Sequence, residues 1–138
     1  MVVFWRKWQP GWMFAALLVS AAPARAHHAF SAEFDKDRRA TFTGVVTKVD
    51  WANPHTYFYL DVPGKDGHTA NWIFEAAGPH LLFRLGWSRD SLKVGDHVTV
   101  VGFLPWSHDV RVASARVVVL ADGRKVFAGT PKDGGPQP

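Results

Sequence analysis

From Ala40 onward the chain is a series of β-rich runs broken once by a short helical stretch. That order limits the fold more than any other feature. The first run, Thr41 to Trp51, is rich in β-branched residues. Its apolar positions change parity near Gly44, which predicts a bulge there. Ala52-Asn53-Pro54 ends it, because proline lacks an N–H and restricts the residue before it. Tyr57 to Val62 is the second run, with Phe58, Leu60 and Val62 on one face, and Pro63-Gly64-Lys65-Asp66-Gly67 is a turn. Thr69 to Ala76 is the third, with Trp72 and Phe74 sharing a face.

Gly78-Pro79 then opens a short helix. Leu81, Leu82 and Leu85 fall on one side of it, and Gly86 stops it. A turn at Ser91–Asp96 feeds a fourth strand, His97 to Leu104. The fifth, Val110 to Leu120, is expected to place Ala113, Ala115, Val117 and Val119 on one face. Asp122-Gly123 signals a hairpin into a short sixth strand, Arg124 to Phe127. Three strands, a helix and two strands is the order of an OB-fold, a small five- to six-stranded Greek-key barrel. A β-sandwich usually wants about seven strands and no helix in mid-chain. The barrel is expected over residues 40–129, with an arm at 27–39 and a disordered Pro/Gly-rich tail at 130–138.

The first 26 residues read as an address. Arg6 and Lys7 precede the apolar run Gly11–Ala22, and Ala24-Arg25-Ala26 places small residues at a cleavage site. The run is shorter than the about 20 apolar residues a membrane span needs. Cleavage after Ala26 and export to the periplasm are therefore expected. Removing 26 of the 138 residues leaves 112, enough for one core. It also takes away three bases and no acid, so the net charge falls from +4 to +1. The basic pI of about 9.7 belongs to the leader more than to the domain. Nucleic-acid binding loses its electrostatic basis, since phosphates call for a concentrated surplus of Lys and Arg. No membrane span is expected after cleavage.

In its residues the chain resembles a small secreted bacterial family known as domain of unknown function 6152. His27-His28-Ala29-Phe30 with Glu33-Phe34-Asp35 carry the likeness at the start. Gly44-Val45-Val46, Trp51-Ala52-Asn53-Pro54-His55 and Trp72-Ile73-Phe74-Glu75 continue it. Gly86-Trp87, Leu92-Lys93-Val94-Gly95-Asp96 and Asp122-Gly123-Arg124 complete it. The resemblance implies a small, secreted, barrel-like protein and brings no catalytic residues.

Two sets of side chains could carry function. Trp51, Asn53 and His55 surround the loop between strands one and two, and Trp106 and His108 lie between strands four and five. In an OB-fold these loops flank one binding face. A rim of two tryptophans and two histidines would suit a small molecule, a glycan or a protein. The second set is made by processing. Cleavage after Ala26 leaves His27 as an N-terminal residue whose amine and ring can chelate one metal, with His28 beside it. With no Cys in the chain, a metal site must use imidazole, amine and carboxylate, which suits Cu(II) or Zn(II), copper having the higher intrinsic affinity. Such a pair resembles the histidine brace of secreted copper proteins.

An enzyme is not expected. The serines lack a nucleophile-elbow context. Glu75 is the one acid inside an apolar strand and the remote candidate for hydrolytic acid catalysis, with Arg84 or Arg116 as its alternative partner. His68 and His97 read as surface residues, and His80 as a neutral ring, since the start of a helix disfavours a cation.

Overall fold

The computed structural model describes residues 30–130. A single helical turn, α1 (Phe30–Glu33), leads into a long first strand, β1 (Phe34–Asp50). Next come β2 (Thr56–Pro63), β3 (Thr69–Ala76) and the helix α2 (Pro79–Arg84). The chain then forms β4 (His97–Pro105), β5 (Val112–Val119) and the short β6 (Lys125–Phe127). Strand order is β3-β2-β1-β4-β5-β6, and β3 also pairs with β5. That last pairing is parallel, with Ile73 opposite Val112 and Glu75 opposite Ser114, and it closes five strands into a ring. The protein is an OB-fold barrel. Closure leaves no long unpaired edge within the ring.

Alternation along the strands fills the barrel as the sequence pattern predicts. Phe58, Leu60, Phe74, Val100 and Val118 are fully buried in one core with Phe42, Val46 and Ala113. Leu82 of α2 is fully buried in the same cluster, with Leu81 and Leu85 packed against it. Trp87 packs beneath the helix, and its indole N–H donates to the Phe127 carbonyl at 2.8 Å.

Three local expectations are corrected. The β1–β2 bulge sits at Thr47, between the pairs Val46–Leu60 and Lys48–Tyr59, and not at Gly44. Gly44 serves a close approach instead, since a Cβ there would collide with the Asp61 carbonyl of β2. On β5 the inward face changes parity: Ala113 and Ala115 are buried, and then Val118 and Leu120. Arg116 is the extra residue, lying between Ala115, which pairs with Gly102, and Val117, which pairs with Val101.

The third correction concerns the arm. The strand starts at Phe34, which pairs with Pro105, and pairing with β4 resumes at Arg39. In the interval Asp35 accepts the Asp37 amide at 2.9 Å and Arg38 donates to the Pro105 carbonyl at 2.9 Å. Phe30 and Phe34 stack on each other with centroids 5.7 Å apart. Phe30 lies edge-on to Phe103 on the outside of β4, with centroids 5.2 Å apart. The expected leader, His27, His28 and the tail from residue 131 onward lie outside the described residues.

Candidate functional site

The outer face of the barrel is read by following one row of paired residues across the strands. Phe103 on β4 pairs with Ser114 on β5, and Ser114 with Glu75 on β3. Glu75 pairs with Tyr57 on β2, and Tyr57 with Asp50 on β1. The next row places Ile73 opposite Tyr59 and Tyr59 opposite Lys48. These residues alternate with the buried Phe58, Leu60 and Phe74, so they face out.

Glu75 is the centre of this face. His55, just before β2, donates from Nδ1 to Glu75 Oε1 at 2.7 Å. The two side chains are 27% and 19% exposed, so the pair is neither buried nor fully solvated. The Tyr57 hydroxyl donates to the same carboxylate, and the Tyr57 ring lies edge-on to His55 with centroids 6.5 Å apart. Partial burial raises the Tyr57 phenol above its ordinary value of 10.0, and the charges of Glu75 and then Glu33 add to the rise. The second tyrosine, Tyr59, lies under the Lys48 ammonium at 5.1 Å. Asn71 donates to Asp61 at 2.8 Å and to Thr47 at 3.1 Å, at the lower end of the face.

The five residues expected to form one rim are divided. The β1–β2 loop leaves the end of β1, whereas the β4–β5 loop lies beside its start, where Phe34 pairs with Pro105. Trp51 turns toward α2, its ring 5.5 Å from Phe83 and 6.4 Å from Trp87, and it packs against the core. Arg89 lies over both Trp51 and Phe83 at 6.0 Å. Asn53 is exposed, joined to Pro54 by a cis peptide bond, with its side-chain oxygen near Gly78. At the other end, Trp106 is 54% exposed and braces α1. Its indole N–H donates to the Ser31 carbonyl at 3.1 Å and its amide to the Glu33 carbonyl at 3.1 Å. His108 lies 3.4 Å from the Arg38 guanidinium. Of the five, His55 is the residue tied to the β2–β3 face.

Glu75 takes His55 and Tyr57 as partners. The Arg116 guanidinium lies over the Phe103 and Phe127 rings at 5.6 Å. Tyr57 and Glu33 are the site residues that the sequence reading missed, whereas Glu75 stood out there as the one acid inside an apolar strand. Strand parity alone could have found Tyr57 and Glu75, since both alternate with core residues.

A family model matches residues 15–111 of this sequence. The chain belongs to the family of unknown function DUF6152. The matched span includes α1, the His55 loop, Glu75 and the whole of β2 and β3. Among curated proteins none matches this DUF6152 chain. Among solved structures it is similar to the mitochondrial single-stranded DNA binding protein Rim1 from S. cerevisiae, with a TM-score of 0.45 and 12% identity. That likeness covers 63% of this chain and 93% of the other. Among the described residues of the DUF6152 chain no helix is long and apolar enough to cross a membrane. No group of three or more His, Asp or Glu side chains is placed to hold a metal among them.

Proposed function

We propose that this protein is an exported, periplasmic binding module, not a catalyst, and that its ligand lies on the outer β2–β3 face. Export rests on the charged, apolar and small-residue segments of residues 1–26. The observation that carries the ligand site is the His55–Glu75–Tyr57 cluster, in which two donors from two elements converge on one partly exposed carboxylate. The face lies between the β1–β2 and β4–β5 loops, the part of this fold class that commonly receives ligands. Its charge narrows the ligand class. On the β1–β3 part of the face Asp50, Asp61 and Glu75 stand with Lys48, whereas Arg39 and Arg116 lie over Phe103 at its β4 edge, and Glu33 acts on Tyr57 from α1. Such a surface repels a phosphate chain and suits a neutral or cationic small molecule that can stack on tyrosine.

Backbone-amide NMR of the processed protein tests this reading. Cellohexaose, spermidine and a 15-residue single-stranded oligo-dT serve as a neutral, a cationic and an anionic ligand. The neutral or the cationic one should shift the amides of His55, Tyr57, Tyr59 and Glu75. Shifts by oligo-dT on these amides, or shifts confined to another face, would overturn it.

A further inference from the structure

We propose that the outer face of α2, centred on Phe83 and flanked by Arg84 and Arg89, docks the protein on an anionic lipid surface. The face lies outside β2 and β3 and does not depend on the ligand site proposed above.

The helix has two unlike sides. Leu82 is fully buried, and Leu81 and Leu85 pack against the core. His80, Phe83 and Arg84, spaced i, i+3 and i+4, form the side turned to solvent. Phe83 is 40% exposed there. The core does not account for this ring, since Leu82 already anchors the helix from the opposite side.

The cations around the ring have nothing to neutralise them. The Arg89 guanidinium lies 6.0 Å from the ring centroids of both Phe83 and Trp51. Trp51 backs it from the core side, with Trp87 edge-on behind at 6.4 Å. Neither Arg84 nor Arg89 makes a hydrogen bond or an ion pair with a described residue. The acids next to Arg89 and Trp51 in the chain are both engaged, Asp90 with Lys93 at 3.4 Å and Asp50 with Lys48 at 3.4 Å. A guanidinium held against aromatic rings keeps its N–H edge open for an anion.

What complements this face is an anion joined to hydrocarbon. A phospholipid surface supplies both, with phosphodiesters for Arg84 and Arg89 and the acyl boundary for Phe83. The partly exposed Trp51 suits the headgroup level beside it. A second copy of the chain does not fit, because two such faces would bring unneutralised guanidiniums together. An acidic peptide would satisfy the guanidiniums and leave the ring without an apolar partner. One ring and two bases give reversible attachment, each base contributing about fivefold on an anionic membrane.

The test uses the full chain expressed with its leader in a Gram-negative host and purified from the periplasm, with the same N-terminus confirmed by intact mass in every variant. Co-sedimentation is measured with phosphatidylcholine vesicles and with vesicles holding about 30% phosphatidylglycerol. Binding is expected to the second alone, and it should vanish in about 1 M salt, where the screening length is about 3 Å. Arg84→Gln and Arg89→Gln should each weaken it about fivefold, and Phe83→Ser severalfold. A Lys36→Gln, Lys125→Gln double variant removes two exposed bases elsewhere and should leave it nearly unchanged. In the unsubstituted protein, vesicles with spin-labelled headgroups should broaden the amides of His80, Phe83, Arg84 and Arg89 ahead of those of Trp106 and Val110. No binding, equal binding to both vesicles, an equal loss in the lysine variant, or broadening centred on Trp106 overturns the proposal. So does a response of the same amides to poly-glutamate but not to vesicles, which would assign the face to an acidic protein.

Discussion

His55 and Glu75 meet at 2.7 Å although one closes the β1–β2 loop and the other lies within β3. The contact ties the loop to the sheet and fixes the imidazole over the outer face. Both side chains are less than a third exposed, so screening weakens the pair without abolishing it. A double-mutant cycle with His55→Ala and Glu75→Gln at neutral pH should give a coupling of about 1 kcal/mol in urea unfolding. A coupling indistinguishable from zero would mean that the loop is held by Asn53-Pro54 and Gly78 alone.

Tyr57 gives a pH signature. Its phenol is raised above 10.0 by burial first and by the charges of Glu75 and Glu33 after that. The folded protein therefore keeps this proton at a pH where the unfolded chain has released it. The stability it contributes is complete below pH 10, and it is lost as the pH climbs through the folded-state value. Tyrosinate absorbance should show Tyr57 ionising above the ordinary value. Glu75→Gln should bring that titration back toward 10, because it removes the larger of the two charges.

Much of the fold is legible from local chemistry. Alternation in Phe58-Tyr59-Leu60 and Trp72-Ile73-Phe74 fixes which side of each strand is core, and Gly78-Pro79 fixes where α2 begins. The bulges are less legible, because a bulge depends on the partner strand. Thr47 and Arg116 are ordinary strand residues in sequence, and only the register of β2 and β4 makes each the unpaired one. The site shows the same division. Outward parity marks Tyr57 and Glu75, and the β2–β3 pairing sets Glu75 beside Tyr57 and next to His55, but the approach of Glu33 depends on long-range packing of α1 that no local pattern announces. Trp51 and Trp106 illustrate the converse. Both read as platforms by residue type, yet one packs against the core and the other braces α1.

Two glycines are held by backbone neighbours and not by their own φ. A Cβ on Gly78 would lie 2.6 Å from the Pro54 carbonyl oxygen, and one on Gly102 would lie 2.6 Å from that of Ser114. Neither backbone can yield as a flexible side chain would. Gly78→Ala and Gly102→Ala should each destabilise the protein by about 1–3 kcal/mol in urea unfolding. They should differ at the site. Gly78→Ala pushes on the loop that carries His55 and should shift its amide and ring resonances, whereas Gly102→Ala acts between β4 and β5 and should leave them nearly in place.

Trp106 tests how α1 is attached. Trp106→Phe removes the indole donor to Ser31 but keeps the main-chain bond to Glu33. One exposed hydrogen bond is worth about 1 kcal/mol or less, so global stability should change little. Amide exchange in residues 30–33 should accelerate severalfold while β2 and β3 stay protected. Unchanged exchange would assign the attachment to the Phe30–Phe103 contact.

Thr56 offers a substitution that should stabilise. It follows His55 and turns into the barrel, where its side chain is fully buried and Oγ1 has no hydrogen-bond partner among the described residues. A buried hydroxyl without a partner carries its desolvation cost uncompensated. Valine has nearly the same shape without the polar atom, and β-branching keeps it suited to a strand. Thr56→Val should therefore raise unfolding stability by about 1 kcal/mol, read as a higher urea midpoint at unchanged slope. Its main-chain bond to Ala77 is untouched, so the His55–Glu75 geometry should survive the change. A loss of stability would show that a water satisfies Oγ1 inside the barrel mouth, which high-resolution density at Thr56 would reveal directly.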